Sequence, residues 1–261
     1  MLSRIKQLCR QIEKENDVRI LYAVESGSRA WGMESTDSDY DVRFVYARPL
    51  SEYLRIDRQR DVIEAYYDVE GNPCEPKGAA IDMMGFDIYK YASLLSRSNP
   101  AAIEWLLSDT VYCGEQNKVF KEYAEKNFSP VALYHHYRSM AKTNYEKFIK
   151  QEKKSSTKRY LYVYRGIVNA KWVAAKKTLP PMNYAKALFG LETIPAPVAE
   201  RIRELLSEKK TGKERDEVKD TVLDRYAEEF FSEDVTSLKE RKHAGVEELN
   251  REILRIILEK A

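Results

Sequence analysis

Hydrophobic positions recur along this chain with two periods. In Ser3–Asn16, Ile5, Leu8, Cys9 and Ile12 are spaced three or four apart with polar residues between, which predicts an amphipathic opening helix. Val18–Glu25 (VRILYAVE) and Tyr40–Tyr46 (YDVRFVY) are rich in β-branched and aromatic residues and predict strands. Asp61–Asp68 (DVIEAYYD) predicts a third strand and Ala79–Gly85 (AAIDMMG) a short fourth. Arg48–Ile56 starts with a proline break and holds a short helix, and Glu70–Gly78, with two glycines and two prolines, is a loop. Ile88–Ser96 predicts a helix packing through Ile88, Tyr91, Leu94 and Leu95, and Pro100 opens the next, carrying Ile103, Trp105, Leu106 and Leu107.

After Gly114 the strand-like alternation stops. Helices are predicted over Asn117–Asn127, from Ser129-Pro130 to about Lys150, over Arg159–Lys177, and within Val235–Ala261, where Val246, Leu249, Ile253, Ile256 and Ile257 keep helical spacing. That last helix packs on the helical half or forms a partner interface; the pattern leaves both open. Lys150–Lys158 reads as a basic polar loop and Glu208–Asp220 as a solvated segment of mixed charge. The expected fold class is α+β: a small mixed sheet with flanking helices over residues 1–113, then an all-helical domain over 114–261.

Composition narrows the setting. The chain has 261 residues, 33% charged and 43% apolar, as a soluble globular protein has. A net charge of +2 gives no argument for nucleic-acid binding from charge alone. There is no apolar run of transmembrane length and no signal-peptide core at the N-terminus, so the expectation is a cytoplasmic protein without a membrane partner, a monomer or small homo-oligomer. Cys9, Cys74 and Cys113 share no metal-like spacing and read as free thiols in a reducing compartment. The 18 tyrosines serve ordinary packing first. His135-His136 does not share a helix face and has no cysteine or histidine partner at ligand spacing, so it is not expected to bind metal.

The chemistry concentrates in Gly27–Arg43, GSRAWGMESTDSDYDVR. Gly27-Ser28 breaks the first predicted strand. A glycine there lets the backbone approach a ligand, successive N–H groups form a concavity suited to phosphate oxygens, and the Ser28 hydroxyl adds a donor. Side chains alternate along a strand, so Asp39 and Asp41 share one face while Val42, Phe44 and Tyr46 pack on the other. Two carboxylates on one face repel unless a cation joins them, and oxygen ligands suit Mg²⁺ or Mn²⁺ rather than zinc. The competing reading of Asp37-Ser38-Asp39 is an Asx-type turn before a strand. Asp82 lies between core-facing Ile81 and Met83; it either meets a polar neighbour such as the Asp39–Asp41 site or is a surface acid on an exposed strand face, and Asp87 is its rival. It is assigned to the metal, and Asp87, after Gly85-Phe86, to a helix N-cap.

These residues carry a resemblance. Gly27-Ser28, ten residues, then Asp39-Tyr40-Asp41 resembles the signature of the DNA polymerase beta nucleotidyltransferase superfamily. The longer string, GSRAWG with DSDYDVRFVY, is similar to a bacterial and phage branch of predicted nucleotidyltransferases, some associated with RNA-repair gene sets. Phe86–Leu107, Tyr134–Phe148 and Lys158–Trp172 resemble the same branch. The resemblance implies Mg²⁺- or Mn²⁺-dependent transfer of a nucleotidyl group from an NTP, with ATP the expected donor, to a hydroxyl on RNA, protein or a small molecule. It also implies a third carboxylate, the role expected of Asp82. Asp39, Asp41 and Asp82 are then the metal-binding and catalytic set, with Gly27, Ser28 and Arg29 at the phosphates. Arg29 has a structural reading as well, as the third residue of the turn. Nucleotide binding between two domains would draw Lys142, Tyr145 and Arg165 from the helical half toward the triphosphate and base, against the plainer reading of a solvated helix face with core tyrosines. A regulatory or antitoxin-like module that binds nucleotide without turnover is the alternative.

Overall fold

The computed structural model describes residues 1–57, 59–152, 155–212, 218–233, 238–240 and 245–259. The order is α1 (Leu2–Asn16), β1 (Arg19–Glu25), the single turn α2 (Gly27–Ala30), β2 (Tyr40–Ala47), α3 (Leu50–Tyr53), β3 (Val62–Tyr67), β4 (Ile81–Asp87), α4 (Ile88–Ser96), α5 (Pro100–Leu107), β5 (Val111–Gly114) and α6 (Lys118–Asn127). Then come α7 (Pro130–Tyr145) with a π-helical turn over Glu146–Lys150, α8 (Thr157–Lys176), α9 (Tyr184–Phe189), α10 (Ala196–Lys210), α11 (Thr221–Ser232) and α12 (Glu247–Leu258). The expected α+β class is the observed one. The strand β5 and the helices α9 to α11 were not expected.

The sheet runs β3-β4-β2-β1-β5, with β2 and β4 parallel and the other neighbours antiparallel. On one face α1 contributes Ile5, Leu8, Cys9 and Ile12 to a core with Ala23, Val42, Phe44, Tyr46, Ile81 and Met83. Val42, Phe44 and Tyr46 therefore face the core as their alternation requires. Gly85 has no side chain because the Phe44 ring lies where one would be: a Cβ there would meet Phe44 Cε2 at 2.0 Å.

Asp87 terminates β4 and caps α4, accepting a hydrogen bond from the Tyr89 amide at 2.9 Å and another from the Tyr53 hydroxyl at 2.8 Å. Burial raises its carboxyl above the ordinary value, against those two bonds, which lower it. In the window between its unfolded and its raised folded value, the folded state holds the extra proton. Stability from this group is therefore complete below the ordinary carboxylate value, about 4, and declines as pH rises through the raised one. Asp87→Asn keeps a capping oxygen and flattens that decline, read as melting temperature against pH for both proteins. An unchanged slope would contradict this. Asp224 in α11 is shifted in the same direction, also chiefly by burial, so part of the slope remains.

The chain divides into two compact units. The first comprises Met1–Ala30, Ser38–Phe128 and His243–Ala261, the second Trp31–Asp37 and Ser129–Lys242. This differs from the expected division after residue 113 in three places. Helix α6 belongs with the sheet, packing on α4 and α5. The C-terminal α12 also belongs there: Glu252 accepts from the Asn117 amide group, and Arg19 Nη2 donates to the Ile256 carbonyl at 2.7 Å. And the short segment between the glycine turn and the acids belongs to the helical unit.

Within that helical unit, α7 and α8 form the central pair. Trp31 is fixed against α8, with the Arg165 guanidinium 3.6 Å from its ring centre, Tyr162 edge-on at 5.6 Å, and its carbonyl accepting from the Tyr184 amide at 2.9 Å. In the two segments read as polar loops, Ser155 and Val218 pair as an isolated β-bridge, Lys209 is buried, and Asp220 caps α11. Residues 153–154 and 213–217 of those segments lie outside the described residues, as do 235–237, 241–244 and 260–261 of the expected last helix. Among the described residues no helix is long and apolar enough to cross a membrane.

Candidate active site

The site is built at one end of β2 and β4. Asp41 and Asp82 are register partners on these adjacent parallel strands. Asp87 pairs with Tyr46 at the opposite end of the same ladder. Arg43, two residues along β2 from Asp41 and therefore on the same face, lies between the two acids. Its Nη2 donates to Asp41 Oδ1 at 2.9 Å and to Asp82 Oδ2 at 3.1 Å, and its Nη1 to Asp82 Oδ1 at 3.2 Å and the Asp82 carbonyl at 2.9 Å. One guanidinium thus bridges two carboxylates, with side chains 13%, 23% and 31% exposed for Arg43, Asp41 and Asp82. Sequence reasoning passed over Arg43. Its signal was the same alternation that grouped the aspartates.

Asp41 is held from behind by a second acid that the sequence reading also missed. Glu25, 2% exposed at the end of β1, accepts from the Asp41 amide at 2.9 Å and from the Tyr112 hydroxyl on β5. The Ser26 amide donates to the Asp41 carbonyl at 2.8 Å. Burial raises the Glu25 carboxyl, the Asp41 charge adds to the shift, and the Tyr112 and amide bonds oppose it. The Ser108 hydroxyl donates to the Glu25 carbonyl at 2.7 Å, completing the anchor.

Gly27 and Ser28 are buried in α2, directly against Asp41. Gly27 has φ +58°, and a Cβ there would lie 1.8 Å from Asp41 Oδ2. Both the left-handed backbone and the close approach demand glycine. Gly27→Ala is expected to cost about 1–2 kcal/mol from the backbone alone and to push the Asp41 carboxylate off Arg43. Denaturant unfolding of Gly27→Ala beside wild type reads the cost, and an unchanged midpoint would contradict it.

Arg29 faces inward. It donates to the Ser38 carbonyl at 2.6 Å and to the Asp39 carbonyl at 3.1 Å, and stacks over Tyr40 at 3.9 Å. These contacts tie the turn to the residues just before β2. Asp39 itself precedes the first ladder residue, Tyr40, and its side chain is exposed.

The expected three-acid cluster is thus two acids bridged by an arginine with the third outside. Among the described residues no three histidine, cysteine or acidic side chains are gathered as a metal centre. The reason is that Asp39 lies outside the ladder that fixes Asp41 and Asp82. The donors still fit a hard divalent cation: they are carboxylate oxygens, and both acids already converge on one positive nitrogen.

The three further residues named from the sequence lie in the helical unit. Tyr145 is buried, its hydroxyl 3.4 Å from both the Asp224 carbonyl and Glu228 Oε1, with its ring against Phe231. It is a packing residue between α7 and α11. Lys142 lies 3.9 Å from Glu146 on its own helix, and Arg165 is buried over Trp31.

A glycine turn packed on paired strand carboxylates, in a small mixed sheet flanked by helices, defines a polymerase-beta-type nucleotidyltransferase fold. A family model described as the RNA repair pathway DNA polymerase beta family matches residues 1–255, and the chain belongs to that family. It is 37% identical over 268 residues to the uncharacterized protein YcgL of Bacillus subtilis (strain 168), covering 99% of this chain and 97% of that protein. A solved nucleotidyltransferase-like protein from Exiguobacterium sibiricum 255-15 is similar at 14% identity and a TM-score of 0.31, over 78% of this chain and 72% of that one, too low to carry an argument.

Proposed function

We propose that the chain is a nucleotidyltransferase that moves an NMP from an NTP to an acceptor hydroxyl, with Mg²⁺ or Mn²⁺ as cofactor and ATP as the expected donor. The observation that carries this reading is the placement of Asp41 and Asp82 at one register, with the Gly27 turn packed on Asp41. Asp41 and Asp82, joined by Asp39 from the segment before β2, would hold the cation. Bound there, it would neutralise phosphate charge and lower the pKa of the attacking hydroxyl. The acceptor oxygen bonds to the α-phosphorus, the bond to the β-phosphate oxygen breaks, and pyrophosphate leaves. The chain's own part is to position and screen. Glu25 and Ser26 fix the Asp41 backbone, Gly27 keeps the approach open, and Arg43 balances the acids until the substrate arrives.

The family description favours RNA ends as acceptor. A pyrophosphate-release screen with each NTP, comparing RNA ends with protein and small-molecule hydroxyls, tests this. Release with RNA ends, lost in Asp41→Asn, is expected. The alternative, a nucleotide-binding module without turnover, draws support from the arginine bridge and the outlying Asp39. NTP binding with no pyrophosphate from any acceptor would establish it instead.

A further inference from the structure

On the face of the sheet under α1 lies a second, unrelated constellation. A cleft of about 490 Å³ is lined by Lys6, Cys9, Arg10 and Glu13 of α1 and by Tyr112, Cys113 and Gly114 of β5. Two of the three cysteines of the chain meet there. Cys9 is 2% exposed in the sheet core, and Cys113 is half-buried and packed against that core. The third, Cys74, is exposed elsewhere. Nothing in the nucleotidyl-transfer reading uses these thiols.

We propose that Cys9 and Cys113 form a redox-active dithiol, oxidised by a hydroperoxide to an intramolecular disulfide. The geometry assigns the roles. Cys113 opens to the cleft and faces Lys6 and Arg10, with Glu13 opposing, so it is the attacking sulfur. Cys9 lies behind it, out of water, as the resolving sulfur. The charges agree with this division. The Cys9 thiol beside it, with Lys6 and Arg10, brings the Cys113 thiol below its ordinary value, against burial and Glu13. The neighbouring Cys113 and burial push the Cys9 thiol up, so Cys9 is the sulfur that keeps its proton. An accessible low-pKa thiol beside a resolving partner is the arrangement that oxidises selectively.

In the first step the Cys113 thiolate attacks a peroxide oxygen. The O–O bond breaks, an alcohol or water leaves with one proton, and Cys113 becomes a sulfenic acid. In the second, the Cys9 sulfur attacks the Cys113 sulfur and the S–O bond breaks. The Cys9 proton leaves with the hydroxide as water. Two electrons pass from the thiol pair to the peroxide. The bond ties α1 to β5, the strand on which Tyr112 donates to Glu25.

The test uses the full chain carrying Cys74→Ser, reduced and then exposed to hydrogen peroxide under native conditions. Expected are a mass lower by two hydrogens, a peptide map linking the Cys9 and Cys113 segments, and reversal by dithiothreitol. In an added Cys9→Ser variant, a cyclic 1,3-diketone should trap Cys113 as its sulfenic acid, and alkylation of Cys113, half-maximal below the ordinary thiol value in the parent, should move to higher pH. Should Cys9→Ser fail to fold, the parent's crosslink and alkylation profile still decide. A folded parent in which Cys113 resists peroxide, or is oxidised without linking to Cys9, would overturn the proposal.

Discussion

Asp41→Asn lowers pyrophosphate release by at least on the order of 10³-fold, in whichever acceptor mixture supports wild-type turnover. The substitution keeps the shape of the side chain and an acceptor oxygen, and the backbone hydrogen bonds to Glu25 and Ser26 do not depend on it. The fold therefore survives. What is lost is one of the two negative charges that converge on the Arg43 position, and with it half of the ordered ligand set at the end of β2 and β4. Asp87→Asn is the matched control: the same chemical change on the same sheet, at the far end of the β2–β4 ladder. Turnover in Asp41→Asn equal to that of Asp87→Asn would remove the site from this end of the sheet.

Arg43→Met destabilises the metal-free protein by about 2 kcal/mol, and Mn²⁺ or Mg²⁺ restores much of the loss. Removing the arginine leaves two carboxylates facing one another without a counter-charge. A buried pair broken this way costs about 3–5 kcal/mol, and an exposed one contributes at most about 1. Side chains 13–31% exposed fall between these limits. A divalent cation competes with Arg43 for the same oxygens, so it stabilises Arg43→Met more than wild type. Melting temperatures of both proteins across a metal titration measure the difference. Equal metal-free stability, or an equal response to metal, would mean that Arg43 and the cation do not share a site.

The acids and the sheet were legible because their signals are local. Runs such as VRILYAVE and YDVRFVY announce strands by composition, and alternation alone sent Val42, Phe44 and Tyr46 to the core and left Asp41 and Asp82 on the other face. Asp87 declared itself as a cap through the helical run IYKYASLL directly after it. The features that escaped the sequence depend on contacts distant in the chain. β5 is four residues long and is a strand only because β1 supplies its partner. Glu25 looked like the end of a strand until Tyr112 and the Asp41 amide met it. The contacts of Arg165 with Trp31 and of Tyr145 with α11 likewise join residues distant in the sequence. The assignment of Trp31–Asp37 to the helical unit has no local signature, since a polar loop reads the same wherever it packs.

The measurement that bears most directly on the central claim is thermal unfolding with each NTP, with and without Mg²⁺, on wild type and on the double variant Asp39→Asn/Asp41→Asn. A ligand that binds only the folded state at a hundred times its Kd stabilises it by about 2.7 kcal/mol, a shift well within reach of the method. A metal-dependent rise in the wild-type midpoint that disappears in the double variant is the expected result. A rise of the same size in the double variant, or none in wild type with any nucleotide and metal, would contradict an NTP–metal site at Asp39, Asp41 and Asp82.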